Sequence, residues 1–171
     1  MKTMLLILAA AALAGCQSVP SDAPKATANL QPTKGNKASG AVNFTQVGDQ
    51  VRVTGNVSGL VPGQEHGFHI HEAGDSSSGD GMSTKGHFNP FGKPHGNPAT
   101  SERHAGDMPA LRADSSGNAK IDATLDLMMV TPGPASIVGR GLIVHVSPDD
   151  YKTQPTGNAG ARVACAVIQR S

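Results

Sequence analysis

The chain is predicted to be all-β, an antiparallel sandwich or barrel of about eight strands with two long connections. Apolar residues fall in short, Val-rich bursts that alternate at period two, as in half-buried strands. Turn signals from a pool of 21 glycines and 12 prolines separate these bursts. Two further stretches, residues 73–106 and 147–160, have no periodicity and read as functional loops. At 171 residues the chain is one domain plus an N-terminal extension, long enough for a substantial core.

The extension comes first. M-K-T-M-L-L-I-L-A-A-A-A-L-A-G-C has a positive start at Lys2 and an apolar stretch ending in small residues, the pattern of an export signal over residues 1–15. Its apolar run of about a dozen residues falls short of the roughly 20 that span a bilayer. L-A-G-C resembles a bacterial lipobox, which makes Cys16 the expected lipidation site, residues 16–24 a tether and residues 25–171 the folded domain. The expected location is the cell envelope, in the periplasm, with the membrane reached only through the N-terminal lipid. Gln17 is not the acidic residue that often retains such proteins at the inner membrane, so the outer membrane is favoured. A net formal charge of +1 and the absence of a basic run argue against a nucleic-acid partner.

In chain order, Lys25–Leu30 alternates weakly and reads as a modest first strand, followed by a turn over Lys34–Gly40. Ala41–Val47, the turn pair Gly48-Asp49, and Val51, Val53, Gly55 and Val57 at strict period two form a hairpin with one buried face. After Val61-Pro62-Gly63 comes a strand with His66, Phe68 and Ile70 on one face and Gly67, His69 and His71 on the other. Residues 73–106 then lack any pattern, which in a compact domain marks a functional loop. Leu111–Ala113 and Ala119–Leu125 flank the turn Asp114–Asn118, and Thr131–Pro134 is a further turn. Leu142–Val146 is a buried strand, and Arg162–Ile168 closes the fold.

Six of the seven histidines lie between His66 and Asp107. His69 and His71 leave their strand on the same face, as a metal clamp does. His87, His95, His104 and Asp107 follow on the long loop, and His145 sits far downstream in G-L-I-V-H-V. Imidazole and carboxylate groups without thiolate suit zinc and copper. Seven such groups exceed the needs of one ion. With one histidine as bridge, they make a site of three histidines and a carboxylate, suited to tetrahedral zinc, and an all-histidine site suited to copper. A lone H-x-H is more often the polar face of a strand, and the spaced ligands that follow reverse that reading. His66 points with the core residues and reads as a hydrogen-bonded core histidine. Glu72 and Glu102 read as surface or loop-anchoring groups, and Met128 and Met129 as core and rim. S-S-S-G-D-G lacks the lysine and following helix of a phosphate loop.

Taken together, G-F-H-I-H-E, G-H-F-N-P, R-H-A-G-D, G-R-G-L-I-V-H and G-N-A-G-A-R-V-A-C-A-V-I resemble copper,zinc superoxide dismutase from about Lys25 to the C-terminus. The resemblance implies an eight-stranded antiparallel Greek-key β-barrel that dismutates superoxide to dioxygen and peroxide, with one copper and one zinc per chain. By the same resemblance His69, His71, His87 and His145 hold copper. His87, His95, His104 and Asp107 hold zinc, with His87 shared and able to carry a proton. Asp149 matches the carboxylate linking a copper ligand to a zinc ligand, Arg162 the arginine that holds the incoming anion, and Thr156 the threonine at the channel mouth. A homodimer is one assembly the resemblance allows.

One departure stands out. The family pairs a cysteine of the long loop with one in the final strand. Cys165 matches the strand partner, but counting from H-I-H puts Asp80 at the loop position. No intrachain disulfide and a free, buried Cys165 thiol are therefore expected, with Asp80→Cys expected to restore the bond. The second loop is shorter than in the family's cytosolic dimeric members, and Lys152 on it reads either as an anion-attracting group or as a solvated lysine. Two rival readings are an envelope copper and zinc buffer without turnover, which needs no Arg162, Thr156 or Asp149, and a structural lipoprotein, which predicts missing ligands. All of those residues are present.

Overall fold

The computed structural model describes residues 22–171. The export signal and Cys16 lie outside the described residues. Ten strand segments follow in order: β1 (Lys25–Pro32), β2 (Ser39–Val47), β3 (Gln50–Ser58), β4 (Glu65–His66), β5 (Phe68–His71), β6 (Leu111–Arg112), β7 (Ala119–Leu125), β8 (Gly141–His145), β9 (Arg162–Val167) and β10 (Gln169–Arg170). All pairings between them are antiparallel. The main sheet runs β5-β8-β9-β1-β2-β3-β7 with β10 beside β1, and β4 pairs with β6. This curled antiparallel architecture is the predicted fold class.

The ten segments reconcile with eight strands because the predicted histidine strand is interrupted and the closing strand runs on past its predicted end as a second piece. The strand of the H-x-H pair changes partner at Gly67. His66 lies opposite Leu111, while Phe68–His71 lie opposite Val144–Gly141. The Gly67 amide donates to the Ser147 carbonyl at 2.8 Å, and its own carbonyl accepts from the His145 amide at 2.8 Å, so the break leaves no orphaned backbone. The closing strand breaks similarly at Ile168, letting β9 and β10 both reach β1.

Period-two burial builds the core. β1 is a firmer strand than its weak alternation suggested, burying Ala26, Ala28 and Leu30. The β2–β3 hairpin turns at Gly48-Asp49 in a register that sets Val47 against Gln50. Phe44, Val51, Val53 and Val57 line its inner face. Behind the histidine strand, Phe68 and Ile70 are fully buried. The β8–β9 register shifts between Val144 and His145, and the strand ends there. Val146, expected inside the buried strand, is 37% exposed for that reason.

The first loop folds back across the open edge of β5. Isolated bridges join His69 to Asp107 and His71 to His87. Ile70 accepts from the Phe88 amide at 2.8 Å and donates to Gly106 at 2.9 Å. The only helical piece among the described residues is a 3-10 turn, Met82–Thr84. Arg103 pins the loop from within. It is 1% exposed, donates to the Pro98 and His104 carbonyls at 3.1 Å, and pairs with Asp126 just after β7.

Candidate metal centre

β5 carries His69 and His71 on its outer face, opposite Phe68 and Ile70, and antiparallel pairing brings His145 from the end of β8 beside them. The loop strapped over β5 adds His87, His95, His104 and Asp107. All seven are buried. They form two groups whose candidate ligand atoms lie within 4.8 Å of one another: His69, His71, His87 and His145 in one, and His87, His95, His104 and Asp107 in the other. His87 belongs to both, its ring 4.0 Å from that of His69 and 5.2 Å from that of His95, centroid to centroid.

Hydrogen bonds to one ring nitrogen leave the other bare. His71 Nδ1 donates to the Lys85 carbonyl at 2.8 Å, His145 Nδ1 to the Gly160 carbonyl at 2.9 Å, and His69 Nε2 to Asp149 Oδ2 at 2.6 Å. His87 Nδ1 faces Asp107 Oδ1 at 2.8 Å. The opposite nitrogens, His71 Nε2, His145 Nε2, His69 Nδ1 and His87 Nε2, are buried without partners among the described residues. Four orphaned lone pairs in one buried group have the chemistry of a cation's ligand set. Burial disfavours the charged form of three of these rings, pushing His145 down to about 3 and His87 to about 4 and lowering His71 well below the ordinary value.

The second group is organised around one carboxylate. Asp107 Oδ2 accepts the Gly96 amide at 3.0 Å and the His104 amide at 2.9 Å, which fixes the side chain. Oδ1 then faces Nδ1 of His87, His95 and His104 at 2.8, 3.0 and 3.4 Å. Ligands about 2.0–2.1 Å from a tetrahedral zinc stand roughly 3.3 Å apart, so three nitrogens and an oxygen at these spacings fit that ion. Burial opposes protonation of His95, but hydrogen bonds to Asp107 and Asp149 outweigh it and raise the ring to about 9. Asp107 resists burial in the other sense, held well below the carboxylate range by its histidine partners.

Asp149 joins the two groups, its Oδ2 on His69 and its Oδ1 2.9 Å from His95 Nε2. Gly157 is what lets the second loop close over it. At φ +68, a Cβ there would stand 1.8 Å from Asp149 Oδ1 and 2.6 Å from His95 Nε2. Gln154 adds two bonds to the His95 backbone, each 2.8 Å. Thr156, half-buried, immediately precedes Gly157, and Lys152 is exposed.

Arg162 begins β9 opposite His145. Its guanidinium is held by the turn after β5, Nη1 donating to the Gly81 carbonyl and to Thr84 Oγ1 and Nη2 to the Lys85 carbonyl. Arg162 shares the Lys85 carbonyl with His71 and pairs with His145, which puts it at the all-histidine group. His66 donates from Nδ1 to the His145 carbonyl at 2.8 Å and is a core histidine, as its face predicted. Met128 is fully buried and Met129 partly so.

The loop position facing Cys165 differs from the one counted on the sequence. Ser76 Oγ touches Cys165 Sγ, whereas Asp80 is exposed and accepts the Met82 amide at 2.9 Å. The loop reaches β9 soon after leaving β5, so counting along it overshoots. Cys165 is buried and unpaired among the described residues, and burial raises its thiol. Thr84, Lys85, Gly157 and Ser76 were all missed on the sequence, because each acts through a contact between loop and strand that no local pattern signals.

The family model for copper/zinc superoxide dismutase matches residues 38–168. Among solved structures, that of the clock protein EA4 is 40% identical, superposes with a TM-score of 0.78, and is similar over 92% of this chain and 99% of its own. The two histidine groups agree with the family match, and the antiparallel fold with both likenesses. The chain belongs to the copper/zinc superoxide dismutase family.

Proposed function

We propose that this chain dismutates superoxide, with copper held by His69, His71, His87 and His145 and zinc by His87, His95, His104 and Asp107. The observation that carries the reading is the set of four orphaned imidazole nitrogens in one buried group beside a restrained guanidinium. Copper bound there supplies the one-electron chemistry that oxidises one superoxide to dioxygen and reduces the next to peroxide. The chain does the rest. Arg162 offers a permanent positive charge and fixed N–H donors to a small anion. Asp149, Lys85 and Gly160 fix the tautomers of His69, His71 and His145, so that each presents a bare nitrogen to the same space. His87 keeps Nδ1 toward the Asp107 group, leaving Nε2 as the position where a proton is held during the reducing half. The Asp107 group straps the long loop and thereby orients His87.

The proposal extends to an envelope location with a lipid on Cys16, supported by the apolar leader and the L-A-G-C string. Loss of metabolic lipid labelling in Cys16→Ser tests that part alone. The chemical reading is tested on the domain starting after Cys16, loaded with copper and zinc. One copper and one zinc per chain, with dismutation abolished by His145→Ala, is the expected result. Full loading without turnover would sink the enzyme reading and leave metal storage.

A further inference from the structure

Thr84 is a polar side chain with no solvent exposure at all, on the one 3-10 turn of the long loop. Its hydroxyl is fully used. It donates to the Gly81 carbonyl at 2.8 Å, accepts from Arg162 Nη1 at 2.8 Å and lies 3.3 Å from His71 Nδ1. The next residue repeats the pattern with its backbone, since the Lys85 carbonyl accepts from both His71 Nδ1 and Arg162 Nη2. To aim that carbonyl, Lys85 adopts φ 63 and ψ −145, a region that favours glycine. Gly81 lets the turn lie flush on the arginine, since a Cβ there would stand 3.2 Å from Arg162 Cδ. Two neighbouring residues thus each touch the same ring and the same guanidinium.

We propose that Thr84 is a positioning residue that holds the Arg162 guanidinium in register with His71 and so sets the affinity of the site for a small anion. An arginine reaching in from β9 has a long, flexible stem, and its fork is useful to a small anion only if it stays in one place. The Gly81 and Lys85 carbonyls each restrain one nitrogen. The Thr84 hydroxyl adds a second acceptor on Nη1 and ties the fork to the ring that shares its turn. Nothing else within the turn can replace it, because removing the hydroxyl leaves Gly81 as the sole acceptor for that nitrogen. The anion part of this inference rests on the proposed function; the immobility of the guanidinium does not.

The test compares the parent protein with Thr84→Val, which keeps the shape and removes the hydroxyl, and Thr84→Ser, which keeps the hydroxyl. In metal-free protein, nitrogen-15 NMR should show separate, slowly exchanging Nη signals for Arg162 in the parent and Thr84→Ser, and averaged signals in Thr84→Val. In protein loaded with copper and zinc, azide serves as the anion probe. Its dissociation constant should rise about tenfold in Thr84→Val, the effect of losing one charge-assisted hydrogen bond, at unchanged metal content. Thr84→Ser should restore it. Equal azide affinity in parent and Thr84→Val, or a serine variant as weak as the valine one, would overturn the proposal. If Thr84→Val does not fold, averaged Arg162 signals in the parent overturn it and separate signals uphold it. Hydroxyl-dependent, immobile Arg162 signals in the metal-free protein, with no azide bound by the loaded parent, would uphold the clamp and overturn the anion-binding part, which rests on the proposed function.

Discussion

Replacing Ser76 by cysteine should create a disulfide with Cys165 and stabilise the metal-free protein strongly. Ser76 Oγ already touches Cys165 Sγ across a separation of 89 residues in the chain. In the chain-entropy account, closing a loop of 89 residues removes about 15 cal/mol/K from the unfolded ensemble, or about 4.6 kcal/mol at 25 °C. This is an upper figure, since native strain subtracts from it. For a chain of this size it corresponds to a rise in melting temperature of roughly 10–20 °C. The assay is thermal and urea unfolding of the metal-free variant, oxidised and reduced, with the bond verified by mass spectrometry. Metal must be absent because the histidine groups strap the same loop to the barrel. Asp80→Cys is the control. Its exposed side chain serves the Met82 amide, so it should remain a free thiol. A verified Ser76→Cys bond with an unchanged or lower midpoint would refute the energetic reasoning, and bonding by Asp80→Cys instead would refute the placement of the loop.

Arg103→Ala should destabilise the protein by about 2–4 kcal/mol and weaken zinc uptake, because it leaves a cavity and takes the donor from two carbonyls of the zinc-group loop. Asp126→Asn should cost under about 1 kcal/mol, since that carboxylate is 56% exposed, and urea midpoints with zinc titrations compare the two. Gly157→Ala should lose about 1–3 kcal/mol and break the Asp149 link to His95, because its Cβ has no room; loss of slow exchange at His95 Nε2–H reads that link. The stability of the metal-free protein should peak near neutral pH. His145 and His87 are depressed to about 3 and about 4, so their contribution is complete above about pH 6.5 and is lost as pH falls through those values. His95 is raised to about 9, so its contribution is complete below about pH 6.5 and is lost as pH rises through 9. A urea midpoint that climbs between about pH 7 and about pH 9 would contradict this sign.

What was legible in the sequence follows from range. Period-two alternation is a local property, so β2, β3 and β7 emerged with their inward faces, and so did the shared face of His69 and His71. The partner switch at Gly67 was not local. It depends on Ser147 and His145, some 80 residues downstream, taking both of its backbone groups. The same limit explains why His87, His95, His104 and Asp107 were visible as candidates while their grouping came only with the family resemblance. Residue type announces a ligand; only the folded loop decides which nitrogen of each ring is spent on a hydrogen bond.

That last distinction explains why a loop so poor in regular structure builds so defined a site. Each ring in the all-histidine group has one nitrogen committed to an acceptor on a different segment: Lys85 for His71, Gly160 for His145, Asp149 for His69 and Asp107 for His87. Any one of these could be lost to thermal motion if it stood alone. Three do not stand alone, because Asp149 also holds His95, Asp107 also holds His95 and the Gly96 and His104 amides, and Lys85 also holds Arg162. Three of the four acceptors, Asp149, Asp107 and Lys85, therefore restrain at least two groups at once, and displacing His69, His87 or His71 disturbs a second. The rigidity that a helix or sheet obtains from its backbone ladder is supplied here by shared acceptors, which is why the chain can place its ligands on glycine- and proline-rich segments that have no ladder of their own.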